Sequence, residues 1–263
     1  MERSVRREVV LALLRVALMN AVQYRASFLF SFFVTALTSG AMVIPLFVVF
    51  DHSATVAGWT LDESLLVTAF FLFLGAVVEG VIEPNLGAIV EGVRSGQLDY
   101  LLLKPADAQI VATCQRVDPS KVWQMLTAFA LGGYALSQVG LPSVAEALTA
   151  AVLLAAGCVA IYALWVMVIC TSFWFVRVDN LRYLLGAVTD AGRWPVTIYT
   201  GFARVFLTVI VPVALVTSWP AMALLGRMDA GLAAQSLGVA VGMLVLSRWV
   251  WVRAIASYTS ASS

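Results

Sequence analysis

Glu79 and Glu83 stand four residues apart near the inner end of an apolar run, so in a helix their carboxylates share one face, one turn apart. Ionisable groups at membrane depth are costly, which makes the pair a candidate for attracting a cationic substrate or lining an inner gate. The same placement also lets both side chains snorkel to the interface, or pair with Arg94 or a neighbouring subunit. A second group follows in Arg94-Ser-Gly-Gln-Leu-Asp-Tyr-Leu-Leu-Leu-Lys-Pro105, which puts charges and a helix break into an otherwise greasy chain. Gly96 ends the preceding helix, and Leu98, Leu101 and Leu102 then form an apolar stripe stopped at Pro105. The product is a short helix exposing Asp99 and Lys104, either lying under the lipid headgroups or docking a partner. Further on, Pro212 falls inside another apolar run, where it must free a backbone carbonyl and kink the helix.

Other chemistry is poorly provided for. No apolar run offers a nucleophile with a base, a carboxylate pair of catalytic type or a cluster of metal ligands, so an enzyme is not expected and no cofactor is assigned. The single histidine, His52, stands beside Asp51 in a polar loop and reads as solvated. Cys114, Cys158 and Cys170 are unevenly spaced and indicate neither a disulfide framework nor a zinc site. The two lysines, Lys104 and Lys121, lack the glycine-rich turn of a phosphate-binding loop, so the chain is not its own ATP motor.

The elements that must position these residues are set by composition. Of the 263 residues, 62% are hydrophobic and 12% charged, and mean hydropathy is +0.95. One soluble core could not hide that much apolar surface. Continuous runs of spanning length, rich in Leu, Ala, Val and Phe, point to an all-α integral membrane protein rather than a barrel of short alternating strands. Six spans are expected, over residues 28–50, 65–82, 122–139, 148–176, 196–219 and 232–250, in a single domain covering 1–263. The arginine-rich stretch 1–25 reads as an amphipathic helix in the inner interface, and the full-length first span argues against a cleaved signal peptide. Placing both termini inside puts fifteen of the sixteen basic residues on the cytoplasmic face, Arg177, Arg182, Arg193 and Arg204 among them, with Arg227 the exception. Such a basic inner face suits anionic lipid, and no nucleic-acid pattern is present. The outer connections are short, whereas about 38 residues separate the second and third spans on the inside.

The residues Arg94, Gly96, Leu98, Asp99, Leu101, Leu102 and Pro105 resemble the coupling-helix pattern of the ABC-2 type exporter permeases. Arg193-Trp194-Pro195-Val196-Thr-Ile198-Tyr199, Ile210-Val211-Pro212 and the terminal Tyr258-Thr-Ser-Ala-Ser262 add to the likeness, although the basic pair frequent before that tyrosine is replaced by Ala256-Ser257. The resemblance implies a six-span, type V exporter-like permease in a bacterial inner membrane. Residues 91–116 would be its coupling region, with Arg94, Gly96, Leu98, Asp99, Tyr100, Leu102, Lys104 and Pro105 docking a separate ATPase. ATP and magnesium would reside on that partner, and a second permease, identical or related, would complete the transporter. An amphipathic or hydrophobic cargo such as a drug, lipid or peptide suits the apolar path. The rival reading is an ATP-independent channel or ion-coupled carrier using Glu79 and Glu83; the broken mid-membrane helices common in such carriers are not evident in the sequence.

Overall fold

The computed structural model of the protein describes residues 25–103, 107–113, 116–174 and 179–258. The expected interfacial helix over 1–25 lies outside them except for Arg25, as do Lys104, Pro105, Cys114 and the tail beyond Tyr258. Among the described residues the fold is helical, with no strand beyond a single bridge between Val56 and Trp59.

Helix α1 covers Arg25–Asp51. Helix α2, Leu61–Val77, starts on a reciprocal cap in which the Glu63 N–H donates to the Thr60 hydroxyl and the Thr60 N–H to the Glu63 carboxylate. A π-helical turn at Val78–Ile82 carries it into α3, Glu83–Ser95, which stops at Gly96 in the left-handed conformation (φ 73°). Two short helices follow, α4 at Leu98–Leu102 and α5 at Ala108–Thr113. Helix α6 then occupies Val122–Val139, and α7, Val144–Cys170, opens on a Ser143/Glu146 capping box. After α8, Asp179–Thr189, come 3₁₀ turns at Asp190–Arg193 and Val196–Ile198. Helix α9 is Gly201–Val205, prolonged by a π turn to Ile210, α10 is Ser218–Leu224, and α11 is Ala230–Ser257, capped by Asp229.

Among the described residues, four unbroken helical stretches are long and apolar enough to cross a membrane: Leu29–Asp51, Leu61–Val93, Val144–Phe173 and Ala230–Ser257. They extend the expected spans mainly where a cap or the π turn lets the helix run on. Helix α6 forms over its expected residues, but Gln124, Gly132, Gly133, Ser137 and Gln138 leave it less apolar than the rest.

The expected fifth span, 196–219, requires correction. Its two arms, Gly201–Ile210 and Val213–Leu224, are bent by 68° at Val211–Pro212, where proline supplies no N–H to continue the ladder. Residues on either side of this segment both reach the N-terminal end of α2: the Trp59 indole donates to the Thr197 hydroxyl at 2.8 Å, and Arg227 pairs with Glu63. A single crossing would finish at the opposite end. The broken helix missing from the sequence reading is therefore present.

Instead, the charged stretch before it runs antiparallel to α2. Gly186 and Thr189 share a cleft with Glu79 and Glu83, Gly192 faces Phe71, the Thr68 hydroxyl donates to the Arg193 carbonyl at 3.5 Å, and Thr197 meets Trp59. The expectation that Arg193 and Arg204 sit at the inner face with the other basic residues fails with it. Arg193 lies beside Thr68, and Arg204 lines a cleft with Trp219 and the first turns of α11, in the half of the molecule that holds Arg227.

The α2–α3 stretch is the centre of the fold, with 67% of its apolar window buried against 44% for α7, 17% for α11 and 11% for α1. Trp165, Ile161 and Ile169 of α7 pack on Leu74, Val78 and Leu86, with Trp251 of α11 in the same cluster. Gly157 of α7 permits the interrupted segment to seat: a Cβ there would lie 2.6 Å from the Leu215 carbonyl oxygen. Gly238 and Gly242 of α11, a small-xxx-small pair, meet nothing within 4 Å in this chain.

Candidate functional site

At the C-terminal end of α3, Gly92 leaves room for the chain to double back, and Leu98 seats against it with 2% of its surface exposed. That contact anchors α4 by its first residue, while Tyr100, 74% exposed, and Leu103, 80% exposed, protrude. Asp99, expected to be exposed, is half-buried, because Tyr258 beyond the end of α11 lies beside it. Burial, and then the neighbouring Asp99 carboxylate, push the Tyr258 phenol above its usual range. Phe173, just after α7, holds Tyr258 edge-to-face at 5.9 Å and Trp251 at 6.4 Å. Two stretches singled out separately in the sequence thus meet at one place. Arg94 and Leu102 occupy α3 and α4, but their side chains, like Lys104 and Pro105, fall outside the described residues.

A second tie joins this region to α11. Asp107 caps α5 by accepting from the Gln109 and Ile110 N–H groups, and its carboxylate also receives both arms of the Arg248 guanidinium, at 3.1 and 2.5 Å. The Arg248 guanidinium, aided by those N–H groups, holds the Asp107 carboxyl below the usual carboxylate range. Arg248 donates further to Gln109, whose amide donates to the Tyr162 hydroxyl of α7, which in turn donates to Thr113. The loop between the C-terminal end of α3 and the N-terminal end of α6 is therefore cross-linked to both α7 and α11 by polar contacts.

The far end of the loop is bound to α2 and α3 by three contacts. Fully buried Asn85 donates to the Arg116 carbonyl at 2.6 Å and accepts from the Arg116 N–H at 2.7 Å. The Asp118 N–H donates to the Gly80 carbonyl in the π turn at 2.8 Å, an acceptor that regular helical bonding would have occupied. Lys121 is ion-paired with Glu79.

Glu79 is thus engaged by a partner 42 residues away. It nonetheless lines, with Glu83, a cleft of about 110 Å³ walled by Phe71, Trp165 and Gly186. Asp190, not singled out from the sequence as a charge, brings a third carboxylate to that cleft and is paired with Arg193 at 3.6 Å. Pro212 is buried at the break between α9 and α10 and is not among the residues lining this cleft. Among the described residues no cluster of His, Cys, Asp and Glu is arranged to hold a metal. His52 sits against the Val48 carbonyl at the end of α1.

At the opposite end, Glu63 is a hub. Its side chain, 7% exposed, takes both arms of Arg227 while serving the α2 cap. The basic residue that broke the expected charge asymmetry has a buried carboxylate for a partner. Neither Arg227 nor Arg248 could be paired from the sequence, since the contacts span 164 and 141 residues.

The family model for ABC-2 family transporter proteins matches residues 36–262, from within α1 to beyond α11. No curated protein matches the chain, and no solved structure does. The match takes in the protruding α4, the cleft and the interrupted segment, and the chain belongs to the ABC-2 family of transporter proteins.

Proposed function

We propose that this chain is the permease subunit of an ATP-driven exporter, docked through α4 to a separate ATPase that carries ATP and magnesium. The supporting observation is mechanical. A helix with exposed Tyr100 and Leu103 projects from the core and is tied to α11 by Tyr258 beside Asp99 and by Arg248 on Asp107. A push on α4 would reach α11 and, through Gln109 and Tyr162, α7 as a nearly rigid displacement. In this reading the crossings are α1, α2–α3, α6, α7, the stretch 179–198 and α11. The segment 201–224 enters and leaves on the outer side, and the six crossings put both termini in the cytoplasm of a bacterial cell. The exposed apolar faces of α1 and α11 meet lipid or a second permease, identical or related. The cargo is amphipathic or hydrophobic.

The test is co-purification in detergent with the ATP-binding subunits encoded beside the permease, using Tyr100→Asp and charge reversal at Asp99 and Lys104. Loss of both the complex and ATP-dependent transport is expected. Retention of both in the altered proteins overturns the docking role.

The break at Val211–Pro212 and the carboxylate-lined cleft favour one other reading, an ion-coupled carrier. Transport in ATPase-free vesicles, driven by an imposed ion gradient and lost in Glu83→Gln, would establish it.

A further inference from the structure

Helix α6 presents Ala128, Gly132 and Gly133 toward Ala69 of α2, and no large side chain fills the space between them. A Cβ at Gly132 would touch only Ala69, at 3.4 Å, and one at Gly133 would meet nothing within 4 Å. The result is a cavity of about 330 Å³ whose lining side chains are all apolar, closed at the back by Leu154 of α7 and Leu224 of α10. Its mouth is on the outer surface of α6, where Phe129 is 63% exposed and stands edge-to-face with Phe73 at 6.1 Å.

An apolar cavity of about 150 Å³ stays dry and accepts benzene, so one twice that size accommodates roughly a dozen carbons of hydrocarbon. No lining side chain could hold a polar head, so the head must stay outside while a chain enters sideways past Phe129. The cavity lies in the half of α2 nearer its capped N-terminus, short of the polar end at Glu63, at acyl-chain depth in a bilayer. We propose that this cavity is a binding site for one acyl chain of a bilayer phospholipid. The proposal requires only that the chain spans a membrane and stands apart from the ATPase-docking reading.

The experiment uses the purified full chain in vesicles of phosphatidylethanolamine and phosphatidylglycerol carrying a small fraction of phosphatidylethanolamine with a mid-chain diazirine. After illumination, labelled peptides are mapped by mass spectrometry. Labelling concentrated on Phe73, Phe129 and their neighbours is expected, with at least a tenfold loss in Gly133→Leu, which adds a bulky side chain to the lining. Labelling in Phe129→Ala should persist, since it only widens the mouth. Labelling equal to that on the exposed faces of α1 and α11, and unchanged in Gly133→Leu, overturns the proposal. So does absence of label accompanied by disulfide-linked pairs of chains in Phe129→Cys, which would put a second copy over the mouth.

Discussion

Replacing Gly157 by alanine tests where the interrupted segment sits. The added methyl would stand 2.6 Å from the Leu215 carbonyl oxygen, 2.7 Å from its carbon and 2.8 Å from a Val216 methyl. Two of these three atoms are backbone, so rotamer adjustment cannot relieve the contact. Overpacking of this kind costs about 1–3 kcal/mol, and rigid neighbours place Gly157→Ala at the upper end. Alanine gains back about 1 kcal/mol of helix propensity, which leaves a net loss of about 2 kcal/mol. At about 2–4 °C per kcal/mol for a chain of this class, thermal unfolding in detergent micelles should begin about 4–8 °C lower. Gly40→Ala in α1 is the control, since its Cβ meets nothing within 4 Å, and it should be neutral or stabilising. A Gly157→Ala protein as stable as Gly40→Ala would mean that Leu215 does not lie against α7, and the path drawn for 201–224 would be wrong.

Arg227→Ala leaves the Glu63 carboxylate 7% exposed and without its ion partner, and should cost about 2–3 kcal/mol, less than a fully buried pair because Arg227 is 46% exposed. Glu63→Gln combined with Arg227→Ala should recover part of that loss, and a thermal-unfolding cycle over the four proteins reads the coupling. Asp107→Asn should cost no more than about 1 kcal/mol, given side chains 34% and 49% exposed, while reducing transport per ATP hydrolysed. The folded Asp107 carboxyl titrates below its ordinary value, so its contribution is present above the ordinary carboxylate range and is lost as pH falls below it; native and Asp107→Asn stabilities should converge only there. Lys121→Ala should loosen the loop and lower ATP-dependent transport of every cargo alike, whereas Glu83→Gln should act on cationic cargo alone; the converse pattern would exchange their roles.

What could be read from the sequence followed from local physics. Continuous apolar runs located a helix at five of the six expected spans, although the second runs on through the π turn to Val93 and the last to Ser257, and Gly96 and Pro212 broke helices where their backbone chemistry requires. The error at 196–219 has an equally physical origin. Hydropathy places a segment by its affinity for lipid, and residues 186–198 lie along α2, the most buried stretch of the fold, so the charges at Arg182, Asp190 and Arg193 hid a segment held by protein contacts. Conversely, 211–224 is apolar because it is largely buried in protein, whereas the arm 201–210 is mostly exposed, Phe202 at 75% and Val205 at 54%. For the site, the position of α4 was legible from its glycine and leucine pattern. The ties that make it a lever, Arg248 on Asp107 and Tyr258 beside Asp99, join distant parts of the chain and exist only once α11 has been laid beside the loop.

The antiparallel seat of 179–198 against α2 also carries a requirement for biogenesis. A segment with two arginines and two aspartates has little affinity for hydrocarbon, each such group costing about 2.5–3.5 kcal/mol at the centre of a lone helix. It cannot enter the bilayer as an independent unit in its turn of synthesis. Its groove, formed by Thr68, Phe71 and Trp165, is complete once α7 has been made, so α2 and α7 must already be side by side in the membrane when it emerges. If 179–198 crosses the membrane as proposed above, the order in which this protein is threaded into it is fixed by which of its own helices must wait to receive the polar one.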